Sequence, residues 1–259
     1  MKATAGVGRV CFWNGASLWI GRDAGPATPH AHHAIQVTLA LEGSFRLRDA
    51  AEDGWSDFTG AIVTPHCRHQ FDGCGATIAQ LFIEPETAAG HATLRRFAAG
   101  CIDVLPADTR DAMASLLLDA YRAAASDDVL IAASQGAIAL LTGPLAPGMS
   151  VDARIARVIA ALQTRLPASI TLGEAAAIAH LSPSRFRHLF IEQTGMAFRA
   201  FVLWQRLNVA IRAAMHGASW TDAAHGAGFS DSPHLSRTFR RMFGIVPAML
   251  VIEPGQDAL

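Results

Sequence analysis

With 259 residues, the chain has room for two modest domains or one large one, since a domain takes roughly 150 residues. Hydrophobic residues make up 51% and charged residues 17%, which excludes a disordered or polyelectrolyte chain and implies a globular protein with a sizeable core. The net charge of −1 conceals an asymmetry: residues 151–252 hold 11 Arg against 5 acidic groups, whereas residues 1–150 hold 10 basic and 15 acidic groups. Opposite charge in the two halves predicts two domains with different partners, the second facing an anion such as nucleic acid. No window approaches the ~18 uninterrupted apolar residues of a membrane span, and the N-terminal stretch lacks the layout of a secretory signal. A cytoplasmic location without a membrane partner is therefore expected. The cysteines Cys11, Cys67, Cys74 and Cys101 include no CxxC pair and are too few for a disulfide scaffold, so reduced buried thiols are expected.

Residues 10–85 read as strands. Short apolar stretches at Leu18–Ile20, Ile35–Leu41, Ala61–Thr64 and Thr77–Ile83 alternate with Gly, Pro and Asp clusters, the spacing of a barrel or sandwich. After Pro85 the texture changes. Asp108–Ala125 and Asp127–Leu141 carry apolar residues at three- and four-residue intervals, as in Met113, Leu116, Leu117 and Ala120, and predict two helices. Thr142–Ser150 holds two prolines and two glycines without periodicity, which marks a linker.

Helical punctuation fills the second half. Val151–Arg165 places Ile155, Val158, Ile159 and Leu162 on one stripe and ends before Pro167, as a proline demands. Thr171 and Glu174 have capping-box spacing and begin a short helix to Ala179. His180-Leu181 is a tight turn, after which Ser182 caps and Pro183 opens a helix that stops at Gly195. Its inward stripe is Phe186, Leu189 and Phe190, leaving Ser184, Arg185, Arg187 and His188 outward. Two short helices joined in this way make a helix-turn-helix. The pattern recurs: Ser219 to Asp222 is a second start, Ala223–Ala227 a short helix, Gly228-Phe229 a turn, and Asp231 or Ser232 the cap of a helix with Leu235, Phe239 and Phe243 inward. His234, Ser236, Arg237, Arg240 and Arg241 are left more exposed. Between the units Phe198–Met215 reads as one long helix of about 27 Å, comparable with the ~34 Å between successive major-groove faces of a duplex.

Two such units in the basic half carry a resemblance. From His180 to Ala248 the sequence resembles the AraC family of bacterial transcription regulators, and GFSDSPHLSRTFRRMFGIVP is its most specific stretch. The resemblance implies an α+β, two-domain protein: residues 1–145 a cupin-like β-barrel with following helices, for effector binding and dimerisation, and residues 150–259 an all-α double helix-turn-helix domain. It further implies a homodimer that binds double-stranded DNA, answers to a small-molecule effector, needs no cofactor and is not an enzyme. Arg187, His188 and Arg237 resemble the family's base readers, for which forked Arg donors suit guanine. Arg185, Arg240 and Arg241 fit phosphate contacts that position the helix, and Ser184, His234 and Ser236 could reach bases or merely cap and solvate. Phe186, Phe190, Trp204, Phe239 and Phe243 are expected in the core.

The N-terminal half resembles the cupin motifs through Gly25, His30, His32, Gln36 and Gly43, then Gly60, Pro65 and His69. Gln36 stands where the motif has glutamate, and Cys67 lies where a glycine is expected. His30 and His32 at i and i+2 of a strand share a face and could hold a metal with His69, but an amide in place of the carboxylate removes charge from such a site. Three readings stand: a pocket in which His30, His32, Gln36 and His69 bind a small organic effector, which is the one expected; a metal centre of His30, His32 and His69; and structural histidines. His33, His66, Cys67 and Cys74 fall in the last class.

Overall fold

The computed structural model describes residues 6–252 except positions 24, 53, 98, 146–150 and 169. The chain divides into two compact units, Met1–Pro147 with Phe239–Leu259, and Gly148–Thr238. The first therefore includes residues 239–252, far along the chain from its other members.

In the first unit eight strands come in succession: β1 (Gly6–Trp13), β2 (Ala16–Asp23), β3 (Ile35–Glu42), β4 (Phe45–Asp49), β5 (Ser56–Phe58), β6 (Gly60–Val63), β7 (His69–Asp72) and β8 (Thr77–Ile83). Then follow α1 (Ala88–Phe97), β9 (Ile102–Val104), α2 (Ala107–Arg122) and α3 (Asp127–Thr142), and near the end β10 (Leu250–Ile252). The strands do not close into one barrel. They form a seven-stranded sheet in the order β10, β1, β2, β8, β3, β6, β9 and a three-stranded sheet in the order β5, β4, β7. The break lies at the end of β3, where the pairing with β8 shifts register between Ala40 and Glu42 and Gly43 takes φ +87°, a conformation favoured by glycine. Beyond that turn β4 leaves to pair with β5 and β7.

Period-two alternation gives the large sheet two different faces. Leu18, Ile20, Val37, Leu39, Leu81 and Ile83 point to one side and pack with Met113 and Leu117 of α2 and Leu130, Ala137 and Leu141 of α3. Each such side chain contributes roughly 1.5–3 kcal/mol by leaving water. The intervening residues, Trp19, Gln36, Ile78, Gln80 and Phe82, line a cavity instead. Buried Arg9 ties β1 to the start of α3, bonding the Ala125 carbonyl and pairing with Asp127. Next to it, burial and the Asp127 carboxylate push the Cys11 thiol up to about 12.

Two expectations need correcting. The cysteines are not all reduced: Cys67 and Cys101, 34 residues apart, form a disulfide with Cα atoms 5.4 Å apart, while Cys11 and Cys74 are free. Cys101 precedes β9, which pairs with β6, and Cys67 follows β6, so sheet pairing brings them together across a distance that spacing does not encode. The segment after Pro85 also holds a third helix, α1. Thr87 Oγ1 accepts from the Gly90 N–H at 3.0 Å, and a Cβ at Gly90 would lie 2.3 Å from the Glu84 carbonyl oxygen. The close approach requires the glycine that, with small alanines, hides the helical period.

The second unit follows its punctuation. α4 (Ala153–Arg165) buries Ile155, Val158 and Leu162 and is capped by Asp152. α5 (Leu172–Ile178) starts on the full Thr171–Glu174 capping box, and α6 (Pro183–Thr194) on Ser182, ending at Gly195 with φ +73°. α7 spans Phe198–Met215, α8 Trp220–Gly226 capped by Ser219, and α9 Ser232–Phe243. Phe186, Phe190, Phe198 and Phe201 meet edge to face or tilted at 5.2–5.4 Å within a core shared with α4 and α5. The linker expected over 142–150 begins where α3 ends; positions 146–150 lie outside the described residues.

Candidate nucleic-acid interface and sensor pocket

On α6 the inward stripe fixes what faces water. Phe186, Leu189 and Phe190 are buried, and Ser184, Arg185, Arg187 and His188 are all exposed. On α9 the pattern recurs with a difference. Leu235, Phe239 and Phe243 are buried and Arg237, Arg240 and Arg241 exposed, but His234 and Ser236 are half-buried. Asp231, the residue before α9, caps it: its Oδ1 accepts from the His234 N–H at 2.6 Å, and that bond holds the carboxyl below its ordinary range. The His234 ring is in turn held, with Nδ1 3.2 Å from Ser230 Oγ and its edge on Phe229. None of Arg185, Arg187, Arg237, Arg240 and Arg241 joins an ion pair among the described residues, so five guanidinium groups remain available to anions.

In the first unit His30, His32 and His69 come together. His30 and His69 exchange main-chain hydrogen bonds at 2.9 Å, their rings lie 4.3 Å apart, and His32 stands 5.9 and 5.2 Å from them. Nδ1 of each faces a carbonyl two residues away: Thr28 for His30, Ala34 for His32 and Cys67 for His69. A carbonyl only accepts, so each ring carries its proton on Nδ1 and leaves Nε2 basic. Burial keeps the rings neutral, lowering His30 to about 4 and His32 to about 3 and holding His69 well below its ordinary value, with the neighbouring imidazoles adding to the last two shifts. Gln36 lies 2.9 Å from His32 Nε2 and 3.0 Å from Thr38 Oγ1. Both contacts are satisfied when the amide NH2 donates to the imidazole and its oxygen accepts from the hydroxyl. Among the described residues His69 Nε2 is buried with no hydrogen-bond partner, and an unmade bond there costs on the order of 1–3 kcal/mol.

Three neutral imidazoles with ring nitrogens within 4.8 Å of one another, each oriented by a main-chain acceptor, fit a soft or borderline divalent ion. Gln36 adds no charge to it. Beside this cluster lies a cavity of about 100 Å³ lined by Trp19, Gln36, Gln80, Phe82, His30 and Phe243, among others. Of the four candidate effector residues, His30 and Gln36 line it, while His32 and His69 pack behind. Sequence reasoning missed Gln80 and the C-terminal wall. Phe243 lies 5.1 Å from Trp19 and 5.6 Å from Phe82, Thr28 donates through N and Oγ1 to the Gly244 carbonyl at 2.9 and 2.8 Å, and β10 pairs in parallel with β1. Alternation around Phe82 could have revealed Gln80; no local signal foretells a strand contact more than 240 residues distant.

Paired capped helix units and a mixed-sheet domain define a helix-turn-helix protein with an additional sheet domain. Residues 175–250 match a family model described as a helix-turn-helix domain. No curated protein matches it. Among solved structures it is similar to ToxT from Vibrio cholerae, with 9% identity, 91% of this chain and 97% of that one covered, and a TM-score of 0.55. An apo variant of ToxT aligns at 10% identity over 91% and 96% of the two chains with a TM-score of 0.58. ToxT bound to an unsaturated fatty acid aligns at 11% over 90% and 92% with a TM-score of 0.52. Identities this low speak for the fold alone.

Proposed function

We propose that the chain is a ligand-responsive, sequence-specific regulator that binds double-stranded DNA through both helix-turn-helix units and is not an enzyme. Functionally it divides into a cupin-like sensor at 1–145 and a DNA-binding part at 150–259. The observation that carries this reading is the free cationic face on α6 and α9, on helices whose opposite faces are locked into aromatic cores. Arg187, His188 and Arg237 read bases; Arg185, Arg240 and Arg241 hold phosphates; Ser184, His234 and Ser236 support those contacts. Selecting bound fragments from a random DNA pool tests it: recovery of a defined motif supports the reading, and recovery of unselected sequence defeats it.

The effector is a small organic molecule that occupies the aromatic cavity and hydrogen-bonds to Gln36 and His30, with His32 and His69 behind them. ToxT, similar in fold, is described bound to an unsaturated fatty acid; here a cavity of about 100 Å³ suits a compact ligand. Exposed Leu116, Val129 and Leu140 on α2 and α3 supply the face of a homodimer. No helix among the described residues is long and apolar enough to cross a membrane, and we place the protein in the cytoplasm. The unfilled His69 Nε2 favours a second reading, a metal ion on His30, His32 and His69. Elemental analysis of the purified chain separates the two: substoichiometric metal supports the organic effector, and a stoichiometric ion lost on His30→Ala and His69→Ala supports the metal.

A further inference from the structure

Outside the three-histidine cluster a second group of ligating side chains meets in the first unit. His33 Nε2 lies 2.9 Å from Glu86 Oε2 and 3.8 Å from Glu84 Oε2, and the three donor atoms are all within 4.8 Å of one another. His33 is 1% and Glu86 8% exposed. The main chain fixes these positions. His33 sits in the segment leading into β3. Glu84 and Glu86 sit in the turn from β8 to α1, where the Glu84 N–H donates to Gly15 and its carbonyl accepts from Thr87 N and Oγ1 at 3.1 and 2.8 Å. The His66 ring stands 5.5 Å from that of His33, on a residue at φ +62° whose N–H donates to the His32 carbonyl at 2.8 Å.

Two carboxylates this close cannot both stay ionised in the interior unless a proton or a cation lies between them. A proton shared through the hydrogen bond between Glu84 and Glu86 meets this need when no cation is bound. A divalent ion replaces it with better balance: two carboxylates cancel its charge and a neutral imidazole completes a mixed oxygen and nitrogen set. Metal–ligand distances near 2.0–2.2 Å put donors about 3–3.5 Å apart, close to the spacing already present. The Glu84 side chain at 14% exposure and the exposed His66 leave a way in.

We infer that His33, Glu84 and Glu86 form a divalent metal site of zinc or manganese type, distinct from the three-histidine cluster, with His66 as a neighbouring fourth donor. The bound ion pins the segment carrying His30 and His32 to the start of α1 and so sets the wall of the sensor cavity.

The test uses the full chain with His30→Ala and His69→Ala, stripped by chelator, loaded with zinc, desalted and analysed for metal. One zinc per chain is expected to remain, and to be lost when Glu84→Gln and Glu86→Gln are added. No retained zinc, or zinc indifferent to the glutamine variants, overturns the proposal. Should the histidine variants misfold by circular dichroism, manganese(II) added to the unsubstituted chain gives the second measurement. Its free-ion paramagnetic resonance signal should be quenched, the quenching should vanish in Glu86→Gln, and an unquenched signal counts against the site.

Discussion

The proposed reading helices and the proposed effector pocket are built in opposite ways. On α6, binding groups are exposed and the scaffold lies beneath them, set by residues within a dozen positions: Ser182 as cap, Pro183 after it, Gly195 as stop, and Phe186 and Phe190 as anchors. In the pocket the binding groups are themselves buried and come from β3, β8, the segment before β3, the start of β7 and the end of α9. Surface function can be altered without touching stability, whereas a substitution in the pocket also changes what is packed in the interior.

The widest separation comes from the helix core. Phe186→Ala should cost about 3–5 kcal/mol of stability, as large aromatic truncations do, read by chemical denaturation; Arg187→Ala should stay within about 0.5 kcal/mol of the parent. Equal losses would mean that the arginine is structural and the contrast false.

Acid sharpens the other side. His30 and His32 titrate at about 4 and about 3 when folded against about 6.5 when unfolded. Between those values the unfolded chain binds more protons, so stability is complete above about pH 6.5 and falls steadily as pH drops toward 4 and then 3. Glu86, at about 7 when folded, works oppositely, and its contribution fades as pH rises from about 4.5 to 7. Denaturation across pH should show a shallower acid loss in His32→Leu and none of the opposing trend in Glu86→Gln.

Smaller effects follow. Thr171→Ala removes one half of the capping box and should cost about 1 kcal/mol. His69→Phe deletes a buried nitrogen without a partner among the described residues together with the Nδ1 bond to the Cys67 carbonyl, two changes of opposite sign that should leave the unliganded stability within about 1–2 kcal/mol of the parent, while abolishing the thermal shift produced by an effector or metal. A loss of several kcal/mol would show that the nitrogen is already satisfied.

The same contrast governs what the sequence discloses. Thr171, Ser182, Pro183, Ser219 and Gly228 act on neighbours a few residues away, so both helix-turn-helix units and the long α7 can be read directly. β4, β5, β7 and β9 are short and depend on distant partners; the division into two sheets is decided at Ala40–Gly43, where nothing in composition marks a departure from a barrel. The disulfide between Cys67 and Cys101 and the return of β10 to β1 are set by the fold as a whole. His30, His32 and His69 could be grouped by motif, but only the fold shows that their Nδ1 atoms are occupied, that His69 Nε2 is not, and that Glu84 and Glu86 lie against His33.

The most direct measurement of the central claim is the affinity of the full chain, Arg187→Ala and Arg237→Ala for a selected DNA site and for its single-base variants at fixed salt. Each substitution should cost about 1–3 kcal/mol on the preferred site and relax selectivity at one position, the two positions lying about one helical turn apart. Equal weakening on every sequence would contradict the account, placing both arginines on phosphate and leaving sequence reading to other groups.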